Sequence, residues 1–135
     1  MKRFLWVLFI SFFVSQIVFS QNNSDQLTLK FNTNEEGKLF TQNAVGQKIF
    51  SFDVQGLKNQ KQADEFITKF SGKPLVLHVT IPFSENEINK IKGVIILKHE
   101  ARFIDFQKLL QEAGIPFIFI DEKIVYVDQL EKIKN

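Results

Sequence analysis

The stretch PFSENEINKIKG, residues 82–93, separates two apolar runs, PLVLHVTI (74–81) and GVIILKH (93–99), and its reading decides the fold. As a tight connection it makes the two runs antiparallel neighbours. As a full crossover helix it makes them parallel. Ser84-x-x-Glu87 is a capping-box signature, so a short helix over residues 85–91 is expected. Those seven residues are short for a crossover, because parallel strands need about a dozen or more connecting residues. The antiparallel reading is therefore preferred, and a strictly alternating, thioredoxin-like parallel sheet is its rival.

Upstream, KIFSFDV (48–54) reads as a strand that Gly56 breaks. Asn59 is placed to cap a helix in which Ala63, Phe66, Ile67 and Phe70 recur at i, i+3, i+4 and i+7 and make one apolar face. Ser71-Gly72-Lys73-Pro74 ends that helix by glycine followed by proline. Downstream, Phe103, Phe106, Leu110 and Ala113 mark a second amphipathic helix closed by Gly114. PFIFI (116–120) is a fourth strand, Asp121-Glu122-Lys123 a turn, IVYV (124–127) a short partner strand, and Asp128 a candidate cap for a tail helix. The order strand, helix, strand, strand, helix, strand predicts an α+β fold, a ferredoxin-like βαββαβ two-layer sandwich over residues 48–135. Phe66, Phe70, Phe106 and Leu110 are its expected core.

Residues 21–47 are expected to form an N-terminal extension. Residues 21–26 are polar; in QLTLKFNT (26–33), Leu27, Leu29 and Phe31 alternate with polar residues as in a half-buried strand. Asn34-Glu35-Glu36-Gly37 is a turn signal, after which KLFTQ (38–42) returns as a hairpin arm.

The first twenty residues, MKRFLWVLFISFFVSQIVFS, carry basic Lys2 and Arg3, an apolar run from Phe4 to Val14 broken only by Ser11, and small residues at Val18 and Ser20. That is the layout of a secretory signal peptide cleaved near Ser20. The rival is a retained anchor, but Ser15 and Gln16 interrupt the apolar stretch and polar QNNSDQ follows at once. With no cysteine to carry a lipid, a lipoprotein is excluded. The chain is expected to be exported, periplasmic or extracellular after cleavage, with no stable membrane insertion.

Cleavage changes the composition. Losing Lys2 and Arg3 leaves 15 of the 17 basic residues against 15 acidic ones, so the mature chain is neutral. A neutral chain with interspersed signs has no electrostatic footprint for nucleic acid, and the strands lack the basic–aromatic interleaving of single-strand RNA binders. The only Met and the only Trp also leave, so no sulfur atom remains and the core must come from Phe, Leu, Ile and Val. About 115 residues make one domain with a real core.

One junction carries a resemblance. VQGLKNQKQA (54–63) lies where the first strand of the sandwich hands over to the first helix. In the heavy-metal-associated domains of copper chaperones and metal-pumping ATPases that junction reads V-x-G-M-T-C-x-x-C-A. Val54, Gly56 and Ala63 match, Leu57 and Lys58 replace the motif's methionine and threonine, and Asn59 and Gln62 stand at its two cysteines. The similarity runs over residues 48–120 and includes FQKLLQEAGI (106–115), which looks like the family's second helix. The resemblance implies a ferredoxin-like scaffold with a docking surface. It does not bring the metal: soft Cu(I) wants thiolate or thioether sulfur, and Asn59 and Gln62 offer neutral amide oxygens.

His78 and His99 are the remaining candidates for chemistry. Two histidines do not supply the roughly three or four protein ligands of a zinc site, so ordinary surface histidines are the simpler reading. In PLVLHVTI, alternation groups His78 with Val76 and Thr80. No serine stands in a nucleophile elbow, and adjacent Asp121 and Glu122 point apart in a turn. No catalytic residue and no cofactor are expected. The sequence points to a small exported, non-catalytic binding or interaction module with an envelope protein as partner. The alternative is a periplasmic metal carrier using His78, His99 and the N-terminal amine.

Overall fold

The computed structural model describes residues 27–132, so the expected signal peptide (1–20) and the polar residues 21–26 lie outside the described residues. β1 (Thr28–Phe31), β2 (Phe40–Gln42) and β3 (Lys48–Gln55) lead into α1 (Gln60–Phe70). β4 (Val76–Thr80), a 3₁₀ turn (Glu85–Lys90) and β5 (Ile91–Leu97) follow. α2 (Phe103–Glu112), β6 (Phe117–Ile120), β7 (Lys123–Tyr126) and a second 3₁₀ turn (Val127–Lys132) complete the chain.

The deciding stretch folds as a connection, not a crossover. β4 and β5 are antiparallel neighbours, with Val79 opposite Ile95 and Thr80 opposite Val94. The parallel rival is thereby excluded. The segment after Ser84 closes only a 3₁₀ turn, and β5 begins at Ile91, inside the expected helix.

All strands belong to one mixed sheet in the order β4-β5-β3-β1-β6-β7, with β2 also on β3. β3 and β5 are antiparallel along Lys48–Val54, and β6 and β7 form an antiparallel hairpin. β1 is antiparallel to β3 and parallel to β6. The N-terminal strand is therefore no extension: it stands inside the sheet, where the four-strand order predicted from sequence has β6 beside β3. Nor does KLFTQ return onto β1. β3 is eight residues long, so its side away from β5 takes β2 along Lys48–Phe50 and β1 along Asp53–Gln55.

The loops flanking β2 repeat one device. Asn34 Oδ1 accepts from Glu36 N and Lys38 N, and Gly37 N donates to Asn34 O. Asn43 Oδ1 accepts from Val45 N and Gln47 N, and Gly46 N donates to Asn43 O. Each asparagine stands in for main-chain partners that a tight turn lacks. The second of these signals, Asn43-x-x-Gly46, is as plain in the sequence as the first.

Strand alternation and helix periodicity meet in an aromatic core. Phe31, Phe50 and Phe52 point to the face that both helices cover: Phe50 stacks on Phe106, Phe31 lies edge-on to Phe106, and Phe52 meets Phe66. Phe66, Phe70, Phe106 and Leu110 are buried, as predicted. Gly93 is demanded by this packing, since a Cβ there would stand 2.6 Å from Phe52 Cζ. Val127 and Leu130 are buried, so the tail is anchored by its side chains rather than frayed behind a cap at Asp128.

Candidate functional site

The junction that resembles a metal loop is built from β3 outward. Val54 is buried, Gly56 turns the backbone at φ +100°, a value that side chains other than glycine's resist, and Leu57 is buried as a plug under the turn. Asn59 then caps α1, its Oδ1 accepting from Gln62 N at 2.9 Å. Gln62 reaches back, its Oε1 accepting from Lys58 N at 2.7 Å. The two side chains at the motif's cysteine positions are thus spent on main-chain amides of the turn: Asn59 caps the third amide of the helix, and Gln62 takes the amide of Lys58, the residue before the cap. Ala63 is fully buried, as predicted. The capping role of Asn59 was legible in the sequence. Gln62 was not, because its partner lies outside the helix.

The histidines lie on separate features. A bulge between Val76 and His78 breaks the alternation of β4. Val76 pairs with buried Leu97 on the helix-covered side, His78 pairs with Ile96 and shares the other side with Thr80, and Leu77 is left 45% exposed. The expected grouping of His78 with Val76 is corrected accordingly: an inserted residue shifts every later side chain to the opposite face. His78 Nε2 is hydrogen-bonded to Thr80 Oγ1. His99 follows β5 and pairs with Glu100, Nδ1 to Oε2 3.1 Å. Among the described residues no three His, Asp or Glu side chains converge as metal ligands.

Asp121 and Glu122 form the two-residue β6–β7 turn, both at positive φ. They do not act together. Asp121 Oδ2 accepts from Thr33 Oγ1 at 2.6 Å and Oδ1 from Thr33 N at 2.9 Å, while Asp121 N donates to Phe31 O. The Thr33 hydroxyl, then the Thr33 amide, hold the Asp121 carboxyl below its ordinary pKa, with Lys123 adding to them. This clamp ties the end of β1 to the β6–β7 hairpin. No local pattern announces a contact between residues so far apart.

The face of the sheet turned away from the helices carries Ser51 and Asp53 of β3, Lys92, Val94 and Ile96 of β5, and Lys30 of β1. Toward β7 it becomes aromatic and apolar: Phe117 and Phe119 lie opposite Tyr126 and Ile124. Lys30 Nζ sits 5.6 Å from the Phe119 ring centroid. Tyr126 is 60% and Ile124 56% exposed, whereas Phe117 and Phe119 are half-buried. The Phe117 ring meets Tyr126 at 73° and Phe119 at 77°, so these rings make no flat stacking platform for bases or sugars. A 470 Å³ recess lined by Ile115, Pro116 and Val127 opens beside Tyr126. No helix among the described residues is long and apolar enough to cross a membrane.

Comparison with protein-family models finds no match, and comparison with curated proteins finds none either.

Proposed function

We propose that this chain is a small exported, non-catalytic interaction module. Its scaffold is read as a ferredoxin-like sandwich with β1 intercalated between the first and last strands of the pattern. Setting aside β1, β2 and the terminal β7 leaves the order β4-β5-β3-β6, which supports this reading. The observation that carries the reading is the contrast between the loop after β3 and the edge strand β7. At the loop similar to a metal site, both candidate ligands are spent on main-chain amides of the turn. On the edge strand β7, Ile124 and Tyr126 hold apolar surface in water with nothing covering it among the described residues. With half-buried Phe117 and Phe119 beside them they make a contiguous apolar surface, and contiguity is what distinguishes interaction sites from scattered exposed apolar residues.

The envelope partner is sought by photocrosslinking in the living cell. A crosslinker at Tyr126 or Phe119 should give one discrete adduct with an envelope protein, and one at Lys61 on the helical side should give none. Equal labelling from both sides, or none from either, removes the interaction reading. Submicromolar one-to-one binding of Zn(II) lost with His78→Ala or His99→Ala would move the chain to the metal-carrier class.

A further inference from the structure

Among the described residues three strands have a free edge, β4, β7 and the three-residue β2, and of the two longer ones only β4 is guarded. Proteins blunt open edges with bulges, prolines and charges, because an unpaired row of N–H and C=O groups templates another strand. β4 is preceded by Pro74 and carries the bulge between Val76 and His78. β7 has neither; its four residues KIVY contain one charge, Lys123 at the start. Its ladder to β6 is regular, with Lys123 opposite Ile120 and Val125 opposite Ile118, and Val127 N donates to Pro116 O. By the alternation of an antiparallel ladder, the main-chain N–H and C=O of Ile124 and Tyr126 face away from β6. Those two residues also have the exposed apolar side chains.

We infer that the β7 edge pairs with β7 of a second copy of this chain, in an antiparallel dimer about a two-fold axis at Val125. This rests on reading the domain as an interaction module and names the surface and the partner. The strand is self-complementary in that register. Ile124 of one copy falls opposite Tyr126 of the second, so both sets of outward main-chain groups pair. The side chains form a β-branched–aromatic cross-strand pair, a favourable kind. Phe117 and Phe119 then continue as one apolar surface across the axis. Charge permits the contact as well. The two Lys123 residues lie at opposite ends, about 14 Å apart along the strands at about 3.4 Å per residue. Each ends opposite Val127 of the second copy, beside its Asp128. The mature chain is neutral, so two copies meet without net repulsion. Neither of the other free edges offers this: β2 is only three residues long, and on β4 the bulge puts the exposed Leu77 out of register with His78.

Sedimentation of the purified protein tests it. The wild type should approach twice the monomer mass as concentration rises, and Ile124→Lys with Tyr126→Lys should return it to monomer with an unchanged circular dichroism spectrum. Leu77→Lys, on the guarded edge, should leave the dimer intact. If the double variant fails to fold, amide exchange in the wild type decides instead. The Ile124 and Tyr126 amides should slow by about tenfold or more on concentration, because only the second copy protects them. A wild type that stays monomeric, a dimer that survives the double substitution, or one that Leu77→Lys dissociates overturns the inference. A monomer that still crosslinks to an envelope protein through Tyr126 overturns the inference alone and leaves the proposed function standing.

Discussion

Phe50 and Phe106 lie face to face, ring centroids 3.8 Å apart and planes 16° from parallel, joining the centre of β3 to the centre of α2. Both rings are fully buried, and Phe31 approaches Phe106 from the side at 5.8 Å. One side chain thus holds helix, central strand and intercalated strand together. Phe106→Ala should cost about 3–5 kcal/mol, the usual loss for a fully buried ring. Denaturant unfolding measures it, and a loss below about 1 kcal/mol would mean that the ring is not in the core.

Gly93 and Phe52 are opposite each other on β5 and β3, and the ring occupies the space a side chain at 93 would need. Gly93→Ala should therefore destabilise by about 1–3 kcal/mol through overpacking, although alanine suits a strand no worse than glycine. Combining it with Phe52→Leu should recover part of that loss. Additive losses in the double-mutant cycle would separate the two residues energetically.

Such local patterns explain how much was readable beforehand. The two helices were legible because Ala63, Phe66 and Phe70, and Phe106 and Leu110, repeat at helical spacing and all turn out buried. The place of β1 was not. Alternation at Leu29 and Phe31 says that one face is buried but not which strands lie beside it. That depends on Phe31 finding Phe52 and Phe106, partners distant in sequence. The β4 bulge was hidden for a similar reason, since LVLHV is an almost unbroken apolar run with no polar alternation to mark where the register slips. At the metal-like loop the missing sulfur was plain, and so was a cap at Asn59. The Thr33–Asp121 clamp joins residues 88 positions apart and left no sign.

That clamp makes a pH prediction. Thr33 donates two hydrogen bonds to ionised Asp121, which lowers its folded pKa relative to the unfolded chain. The stability it contributes is therefore present above the unfolded pKa and is lost as pH falls through the folded one. The melting-temperature gap between wild type and Asp121→Asn should be widest near neutral pH and close in strong acid. A gap independent of pH would assign the clamp no ionic component.

Glu122 stands next to it at φ +69°, in the second position of a turn with both residues left-handed. Glycine is the favoured residue there. Glu122→Gly should stabilise the domain by about 1 kcal/mol, because a side chain in the left-handed region costs about 1–2 kcal/mol and the glycine's extra unfolded-state freedom returns part of the gain. Thermal unfolding reads it directly. A destabilised variant would indicate that the turn gains from the glutamate side chain itself.

The last prediction concerns Asn59 and Gln62. Asn59→Ala should cost about 0.5–2 kcal/mol, as loss of an N-cap does. Gln62→Ala should cost less, since Asn59 still satisfies one amide and the turn is open to water. If the scaffold is similar to a heavy-metal-associated domain beyond this loop, the positions are also spaced for metal. One lies at the cap and one three residues on, within 2.9 Å of each other through Asn59 Oδ1 and Gln62 N. Asn59→Cys with Gln62→Cys would put two thiols at a helix N-terminus, where thiolates are favoured and Cu(I) finds the soft ligands it needs. The double variant should then bind Cu(I) one to one while the wild type, which has no cysteine and no sulfur in residues 21–135, does not. Calorimetry under reducing, anaerobic conditions separates the outcomes, with the amide circular dichroism band as the control for folding. A folded double variant that fails to take up Cu(I) would restrict the likeness to Val54, Gly56 and Ala63 and leave the junction an ordinary strand-to-helix turn.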